Sequence, residues 1–228
     1  MKKRLVVLSG AGISAESGIK TFRDSDGLWE EYNVMDVASI DGWFRNPQMV
    51  LDFYNQRRIQ LATVEPNLGH IGLAELESQF DVQIITQNID NLHERAGSSN
   101  ILHLHGELTK ARSVNNDSLI TEIGYTEIKI GDLASDGAQL RPHIVWFGEA
   151  VPLLEKAISI IQKVDIFVII GTSLNVYPAA GLVNYVPVGV SIYLIDPSNV
   201  SSPRVSKHIK KPASEGVKEL QELLAQKQ

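Results

Sequence analysis

A short apolar strand that ends in a glycine-rich turn is the feature that most limits what this chain can fold into. Leu5 to Leu8 form a continuous apolar run, which is typical of a strand buried on both faces of a parallel sheet. Gly10 and Gly12 follow at once, and they allow a tight turn and a close approach of the backbone to a ligand. With Ala15 they complete a G-x-G-x-x-A pattern, which predicts that a helix from about Ile13 presents its N-terminal amides to a pyrophosphate. The alternative is a glycine-rich turn that binds nothing.

Composition narrows the possible partners. The chain has 228 residues, enough for one domain or for one domain with a small lobe. Its 27 acidic residues outnumber its 21 basic ones, which argues against nucleic acid and makes a basic peptide or protein the more natural partner. There is no cysteine, so disulfides and thiolate metal sites are excluded, and we predict no bound metal.

The N-terminal segment resembles a signal peptide only faintly. In MKKRLVVLSG the apolar part is limited to Leu5 to Leu8, too short for the hydrophobic region of a signal peptide. No stretch approaches the roughly 18 apolar residues of a membrane span. We therefore expect a soluble, cytoplasmic protein that does not bind membranes.

Short apolar runs alternate with helical patterns along the rest of the chain. This alternation predicts an α/β fold with a mostly parallel sheet. Besides Leu5–Leu8, the predicted strands are Val82–Ile85, Ile101–Leu104, Ile144–Trp146, Ile166–Ile170 and Ile192–Ile195. The predicted helices are 68–79, 153–163, 178–186 and 214–226.

Two segments interrupt this alternation. An ordinary dinucleotide-binding unit places its second strand and an acidic residue soon after the first helix. Here residues 24 to 66 contain no strand-like run but do contain a helical pattern from Pro47 to about Thr63, and residues 109 to 141 are polar and glycine-rich. We interpret the chain as one domain, 1–228, in which a Rossmann-like core (about 1–23, 68–108 and 142–228) carries a small lobe (about 24–67 and 109–141). A cleft between lobe and sheet is the natural ligand site.

Polar turns follow two of the predicted strands. Gln87, Asn88 and Asp90 lie in TQNID after the strand ending near Ile85, and ligands of open parallel sheets sit at such carboxyl ends. Asn88 or Asp90 could instead only cap the helix that contains Leu92. The segment GTS, residues 171 to 173, could likewise bind a ribose or phosphate, or simply end its strand.

The segment LHLHGEL offers a candidate base. The spacing predicts that His103 and His105 lie on the same side of a strand, with Gly106 after them. A histidine at a strand end can reach a cleft with a near-neutral pKa, which suits a general base. The alternative is a hydrogen-bonded core histidine, and no spacing of acidic partners supports a metal site at the two histidines.

The order of the motifs resembles one known family. GAGIS, SGIKTFR, TQNID, LHLHG, RPHIVWFGE, GTSLNVYPAAG and KPAS occur in this order over about residues 5 to 225. Together they are similar to the sirtuins, NAD-dependent protein deacylases, and the resemblance covers nearly the whole chain. It implies NAD as co-substrate and acylated lysines of proteins as substrates.

The resemblance assigns cofactor-binding positions. Gly10, Ala11 and Gly12 match the pyrophosphate cradle, and Phe22 and Arg23 match a loop that closes over the nicotinamide ribose. An aromatic shield there is chemically sensible, because a reactive ribosyl carbon is easily hydrolysed. The full set of implied cofactor positions is Gly10, Ala11, Gly12, Ile13, Ser14, Thr21, Phe22, Arg23, Trp29, Gln87, Asn88, Ile89, Asp90, Gly171, Thr172, Ser173, Asp196 and Ala213.

The resemblance also implies a mechanism. The acyl oxygen attacks the ribose, nicotinamide departs, and a base then activates a ribose hydroxyl, so that O-acyl-ADP-ribose and free lysine result. His105 matches the general base, and Asn88 and Asp90 match residues that orient the ribose, a water and the nicotinamide amide. The substrate peptide is expected to add as a strand between residues 145–149 and the segment after Leu174, by β-augmentation. The implied peptide-binding positions are Val145, Phe147, Gly148, Glu149 and Val176.

Two departures from the family pattern stand out. Many sirtuins hold a structural zinc with two C-x-x-C pairs around 110 to 140, and this chain has no cysteine. An apolar substitute is expected to hold the lobe, formed by Ile120, Ile123, Tyr125, Ile128, Ile130 and Leu133. Leu194 stands where relatives often have an asparagine, two residues before Asp196.

The helix after Pro47 suggests the acyl preference. Val50, Tyr54, Arg57 and Leu61 share one of its faces, whereas the neighbouring Arg58 is expected to point elsewhere into solvent. Arg57 could simply lay its stem on apolar surface. The pair Tyr54 and Arg57 also resembles the Tyr-x-x-Arg pair of sirtuins that accept negatively charged acyl groups, which implies removal of succinyl and malonyl as well as acetyl groups.

Other functions remain possible from the sequence. A hydride-transferring dehydrogenase would need a second strand that ends in a ribose-binding acid near residue 35, and residues 24 to 66 contain no strand-like run. A non-catalytic NAD-binding module, an NAD hydrolase and an ADP-ribosyltransferase on the same scaffold stay open. We expect a monomer.

Overall fold

The computed structural model describes residues 2–20, 28–29, 32–172, 174, 176–200 and 203–226. Its strands are β1 Arg4–Ser9, β2 Leu28–Trp29, β3 Tyr32–Asn33, β4 Asp81–Thr86, β5 Ile101–His103, β6 Gly106–Ser113, β7 Ile120–Glu122, β8 Leu140–Ile144, β9 Ile166–Ile170, β10 Ser191–Ile195 and β11 Lys207–Ile209. Its α-helices are α1 Val34–Val37, α2 Ile40–Arg45, α3 Pro47–Thr63, α4 Leu68–Glu75, α5 Leu92–Arg95, α6 Leu154–Ile161 and α7 Ala213–Ala225. Short 3₁₀ helices cover Ala11–Ser17, Leu76–Ser78 and Ala179–Tyr185.

A parallel sheet organises the molecule, as the alternation predicted. Six strands run in the order β11-β10-β9-β1-β4-β5, and every pairing is parallel. One predicted strand was wrong: Ile144–Trp146 is not part of this sheet, and the sixth strand is instead the short edge strand β11. The observed strand β8 ends at Ile144 and pairs antiparallel with β6 in a separate small sheet. An apolar run specifies burial but not the partner strand, which explains the error.

The central strand β1 is buried on both faces. Leu5 and Val7 pack into one core, which α4 and α7 cover, whereas Val6 and Leu8 pack into the other, beneath α6 and the 3₁₀ helix Ala179–Tyr185. All four side chains are at most 2% exposed. A continuous apolar run therefore suits this strand, since alternate residues enter different cores.

A third core lies under the small lobe. Helices α1 to α3 and strands β6 and β8 of the small sheet share it, and its aromatic centre is formed by Trp43, Phe53, Tyr54 and Trp146. Trp43 and Trp146 stack with ring centroids 5.5 Å apart. This core joins residues distant in sequence, so the two insertions form one lobe. The exact boundaries of the lobe stay a prediction.

The predicted apolar substitute for zinc was largely wrong. Ile128 is buried and Ile123 is half-buried, but Ile120, Tyr125, Ile130 and Leu133 are exposed. Polar contacts tie this region down instead. The side chain of Asn55 exchanges two 2.9 Å hydrogen bonds with the backbone of Ile128, and the Ser113 hydroxyl donates to Asp136 at 2.7 Å.

Arg58 also differs from the prediction. Its side chain is fully buried rather than solvated, because α3 packs against the small sheet on the side that the sequence pattern assigned to solvent. Its Nε donates to the Leu108 carbonyl at 2.9 Å, and its Nη1 donates to Asn55. Burial lowers the pKa of Arg58 to about 10.

A cluster of charged side chains links Glu149 to Arg112 and Arg141 of the small lobe. Glu149 accepts two hydrogen bonds from Arg141, at 2.7 and 3.0 Å, one from Arg112 at 3.2 Å, and one from the Trp146 backbone amide at 2.8 Å. The two arginine side chains are each only 5% exposed. Burial favours the protonated form of Glu149, but these hydrogen bonds outweigh it and hold the pKa of its carboxyl below the usual range.

None of the helices in the described part of the chain combines the length and the apolar character that crossing a membrane requires.

Removing the carboxylate of Glu149 is expected to destabilise the protein. Glu149→Ala leaves two buried guanidinium groups without their shared partner, which costs about 3 kcal/mol of unfolding free energy. The measurement is urea unfolding at pH 7, with Glu222→Ala, which removes an exposed carboxylate, as the control. Because the folded-state pKa of Glu149 is depressed, the contribution is complete above its unfolded value of 4.5 and is lost as the pH falls further. Equal stability of the two variants at pH 7 would contradict this account of the lobe.

Candidate active site

Polar turns follow three neighbouring strands at the carboxyl end of the parallel sheet. Gly10 follows β1, Gln87 follows β4 and Gly171 follows β9, and backbone hydrogen bonds join these turns to adjacent strands. The amide of Gly10 donates to Ile170 O at 3.0 Å, and that of Gln87 donates to Ser9 O at 2.9 Å. The carboxyl ends of parallel strands thus form one floor, as expected for an open parallel sheet.

The glycine turn packs directly against the turn after β9. The Gly12 amide donates to Gly171 O at 2.8 Å, and a Cβ added at Gly12 would lie 2.7 Å from the Gly171 Cα. Gly171 has φ +64°, so glycine is favoured there for its backbone as well. The predicted helix after the turn is a 3₁₀ helix that already begins at Ala11, and Ile13 within it is fully buried.

A cavity of about 330 Å³ opens above this floor. Residues that the sequence analysis selected and that line it are Gly10, Ala11, Gly12, Ser14, Tyr54, Gln87, Asn88, Ile89, Asp90, His105, Val145, Phe147, Gly148, Glu149, Gly171, Thr172 and Val176. It therefore brings together residues from the glycine turn, the TQNID turn, the small lobe and the segment after β9.

A second cavity, of about 250 Å³, lies on the other side of the glycine contact. Asp196 and Ala213 line it, together with Pro212 and Lys211 of the KPAS segment. Gly12 and Gly171 line both cavities. The site is thus two chambers that share one wall of glycine backbone.

Ser14 connects the glycine turn to the TQNID turn. Its hydroxyl donates to Asp90 Oδ2 at 3.0 Å and accepts from Asn88 Nδ2 at 3.1 Å. The other carboxylate oxygen of Asp90 accepts from the Leu92 amide at 3.1 Å, so Asp90 also supports the start of α5. Burial raises the pKa of Asp90, although these hydrogen bonds oppose the rise.

His103 and His105 do not share a strand, because β5 ends at His103. His105 lies in the following turn and lines the first cavity. Its Nδ1–H donates to Gln87 O at 3.0 Å, so Nε2 is the basic atom of the ring. Burial lowers the pKa of His105, which keeps the ring neutral and able to accept a proton at neutral pH.

Residues 145–149, which the resemblance implies bind the peptide, form one wall of the first cavity. Phe147 pairs with the chain at Ser39: its amide donates to Ala38 O at 2.9 Å, and its carbonyl accepts from Ile40 at 3.0 Å. Phe147 and Val176 are 43% and 39% exposed, which leaves apolar surface at the cavity mouth. Glu149 contributes to this wall while its carboxylate binds the two arginines of the lobe.

Tyr54 lines the first cavity, whereas Arg57 is not among its lining residues. Tyr54 is fully buried and accepts a 2.9 Å hydrogen bond from Trp146 Nε1. Arg57 is half-buried one turn further along α3, with its guanidinium carbon 5.1 Å from the centre of the Phe53 ring.

Some predicted cofactor residues lie outside the described residues. They are Thr21, Phe22, Arg23 and Ser173, together with the side chain of Trp29.

Sequence reasoning missed a buried histidine pair behind the site. His70 and His93 lie edge to face with ring centroids 5.0 Å apart, and His93 Nε2 is 2.9 Å from the Ser9 hydroxyl. Burial lowers the pKa of His70 to about 4, so this pair is neutral and stabilises the floor rather than carrying charge. Single histidines within helical patterns gave no signal that distinguishes them from core residues. Lys20 and Tyr177, which line the first cavity, were also missed.

One group of acidic and imidazole side chains in the described residues is close enough to consider as a cation site. Ligand atoms of Glu94, His103 and Glu107 lie within 4.8 Å of one another. However, His103 Nε2 lies 2.7 Å from Glu94 Oε1, and Lys110 Nζ lies 2.7 Å from Glu107 Oε1. The existing partners satisfy these groups as ion pairs, so we do not assign a metal here.

Comparison with known proteins now identifies the family. The model of the Sir2 family matches residues 10–178, which include the glycine turn, the TQNID turn and His105. The chain belongs to the Sir2 family. The resemblance to sirtuins and the predicted α/β fold are both confirmed.

Relatives resemble this Sir2 chain over nearly its whole length. A protein of Bacteroides thetaiotaomicron named NAD-dependent protein deacylase is 60% identical over 229 residues, covering 97% of this chain and 98% of that protein. A protein of the same name from Helicobacter pylori is 62% identical over 195 residues, covering 86% and 85%.

Solved Sir2 structures share the fold. A Sir2 homolog in complex with NAD has a TM-score of 0.88 at 37% identity, covering 99% of this chain and 90% of that one. A Sir2 protein with a deacetylated p53 peptide and 3′-O-acetyl ADP-ribose has a TM-score of 0.81 at 29% identity, covering 97% and 94%.

Proposed function

We propose that this protein is an NAD-dependent protein-lysine deacylase that removes acetyl groups, and also succinyl and malonyl groups, from other proteins. Its products would be nicotinamide, O-acyl-ADP-ribose and free lysine. The observation that carries the proposal is the pair of cavities that meet at Gly12 and Gly171. A dinucleotide has two halves joined by a pyrophosphate, so one half fits each chamber and the pyrophosphate falls at the glycine wall.

The proposed cofactor contacts follow from this division. Gly10, Ala11 and Gly12 hold the pyrophosphate, whereas Asp196 and Ala213 lie beside the adenosine. Bound NAD supplies a nicotinamide leaving group and a ribose that accepts the acyl group. The names of the relatives, NAD-dependent protein deacylase, support the same chemistry.

His105 has the properties that a general base requires. Its Nδ1–H is anchored on Gln87 O, its pKa is lowered by burial, and it faces the chamber that Asn88 and Asp90 also line. In the proposal His105 Nε2 takes the proton of a ribose hydroxyl. Asn88 and Asp90, linked through Ser14, orient the ribose and the nicotinamide amide.

The first cavity also suits an acylated peptide. Phe147 and Val176 offer partly exposed apolar surface at its mouth, where a peptide can lie between their segments. The net charge of −6 favours basic, lysine-containing segments over nucleic acid. We expect the enzyme to act as a monomer in the cytoplasm on protein substrates, independently of membranes.

The test of the function is a product assay on wild type and His105→Ala. Wild type incubated with NAD and an acetyl-lysine peptide is expected to yield deacetylated peptide and O-acetyl-ADP-ribose by mass spectrometry. His105→Ala should lose about 100-fold or more in kcat, because it lacks the proton acceptor, while still binding NAD through the glycine turn and the second cavity, which the substitution leaves intact. The control is His143→Ala, a half-buried histidine of β8 that lines neither cavity.

The nucleotide product distinguishes the competing functions. Free ADP-ribose without peptide deacetylation would indicate an NAD hydrolase, and a peptide that gains mass would indicate ADP-ribosyl transfer. NAD binding without turnover would indicate a non-catalytic module. Any of these results would overturn the proposal.

The acyl preference is tested at Arg57. Arg57→Met keeps much of the bulk but removes the guanidinium, so it should reduce kcat/KM for a succinyl-lysine peptide more than for an acetyl-lysine peptide. Loss of a charge-assisted pair between this half-buried guanidinium and the succinyl carboxylate is expected to cost about 2 kcal/mol, which corresponds to roughly 30-fold. Arg45→Met, at an arginine whose side chain is 63% exposed, is the matched control. Equal losses on both peptides, or no desuccinylation by wild type, would mean that Arg57 has only a structural role.

A further inference from the structure

Two histidines hold the backbone of the TQNID turn in the same way. His103 Nδ1 lies 3.0 Å from Asn88 O, and His105 Nδ1 lies 3.0 Å from Gln87 O. A carbonyl oxygen only accepts hydrogen bonds, so Nδ1 carries a hydrogen in both rings. The two histidines can therefore differ in charge only through Nε2.

The Nε2 atoms have different surroundings. His105 faces the first cavity, whereas His103 Nε2 is 2.7 Å from Glu94 Oε1, a carboxylate on α5. A contact of this length requires a hydrogen between nitrogen and oxygen. Because His103 also carries a hydrogen on Nδ1, it is an imidazolium ion paired with Glu94.

The groups around His103 favour its charged form. Glu94 faces it from α5, Glu107 faces it from β6, and Asp90 adds a third carboxylate from the turn. Burial alone would lower the pKa of His103, but Glu94 and Glu107 raise it above the ordinary value.

Two further basic groups lie near this set. Buried His93 has a strongly lowered pKa and so adds no positive charge. Lys110 forms a 2.7 Å ion pair with Glu107, and its positive charge also favours the charged form of Glu94. The environment of His103 is thus dominated by carboxylates.

We propose that Glu94 and His103 are positioning residues, which fix the Asn88 backbone for catalysis, and that loss of the His103 proton at alkaline pH releases this turn and sets the upper pH limit of the reaction. This inference rests on the proposed deacylase function. When His103 is neutral with its hydrogen on Nδ1, the lone pair of Nε2 faces the Glu94 carboxylate, and the two repel. The repulsion is relieved either when the His103 ring rotates or when the Glu94 side chain moves away. If the ring rotates, Nδ1 no longer donates its hydrogen bond to Asn88 O.

The kinetic test compares pH profiles of kcat for deacetylation, all measured with EDTA. Wild type should lose activity on the alkaline side with a midpoint above 6.5. Glu94→Gln should move that midpoint to lower pH by about one pH unit, a tenfold change in proton affinity, with little change in KM for the peptide. Glu94→Asp should restore part of the shift. Glu222→Gln, at an exposed carboxylate of α7, should leave the profile unchanged.

A second variant separates the hydrogen bond from the charge. In His103→Asn the side-chain Nδ2 can take the place of Nδ1 and donate to Asn88 O without a proton to lose. This variant should keep activity at pH 7 within about tenfold and should lack the alkaline midpoint of wild type. A purely structural role would instead lower kcat at every pH and leave the midpoint in place, and that result would overturn the proposal.

Proton NMR titration tests the ion pair without any turnover. The His103 ring should titrate above 6.5 and the His105 ring below it, and Glu94→Gln should lower the His103 midpoint. A His103 midpoint below 6.5 in wild type would overturn the inference even if deacylation is observed. If wild type shows no deacylation, the proposed function fails, and the titration shows separately whether the ion pair exists.

Discussion

The close contact between Gly12 and Gly171 is the constraint on which the site depends. Their backbones approach so closely that a single methyl group on Gly12 would lie 2.7 Å from the Gly171 Cα and 2.8 Å from its carbonyl oxygen. A side chain would separate the ends of β1 and β9, and both cavities share the wall that this contact forms. The two glycines therefore fix the geometry of the strand ends and leave bare backbone between the chambers.

The TQNID turn is connected to the same contact through a short chain of hydrogen bonds. Ser14 lies two residues beyond Gly12 and holds both Asn88 and Asp90, while His103 and His105 hold the carbonyls of Asn88 and Gln87. Similar histidines thus acquire different charges, because Glu94 stands next to only one of them. In the proposals above, the neutral ring of His105 is the general base and the charged ring of His103 holds the Asn88 backbone.

Sequence reasoning succeeded where local pattern and environment coincide. Strand β1 and the turn after it could be predicted, because a continuous apolar run indicates a strand buried on both faces whichever strands lie beside it. Failures occurred where a distant element decides the outcome. The pattern of its helix predicted that Arg58 reaches solvent, but Arg58 is buried and its Nε donates to the Leu108 carbonyl of β6. The run at Ile144 was apolar, yet its partner was β6 of the small sheet. The ion cluster at Glu149 and the pair of Glu94 with His103 join residues that no local spacing connects.

The most direct test of the central claim is the affinity for NAD of Gly12→Ala, measured by calorimetry. Gly181→Ala is the matched control, because its added Cβ would have only ordinary contacts, the nearest at 3.8 Å to Tyr177. Circular dichroism melting verifies that both variants fold. The account predicts that Gly12→Ala binds NAD at least about tenfold more weakly than wild type, a loss of about 1.4 kcal/mol, while Gly181→Ala binds normally. A folded Gly12→Ala protein with wild-type affinity would contradict the claim that this contact forms the NAD site.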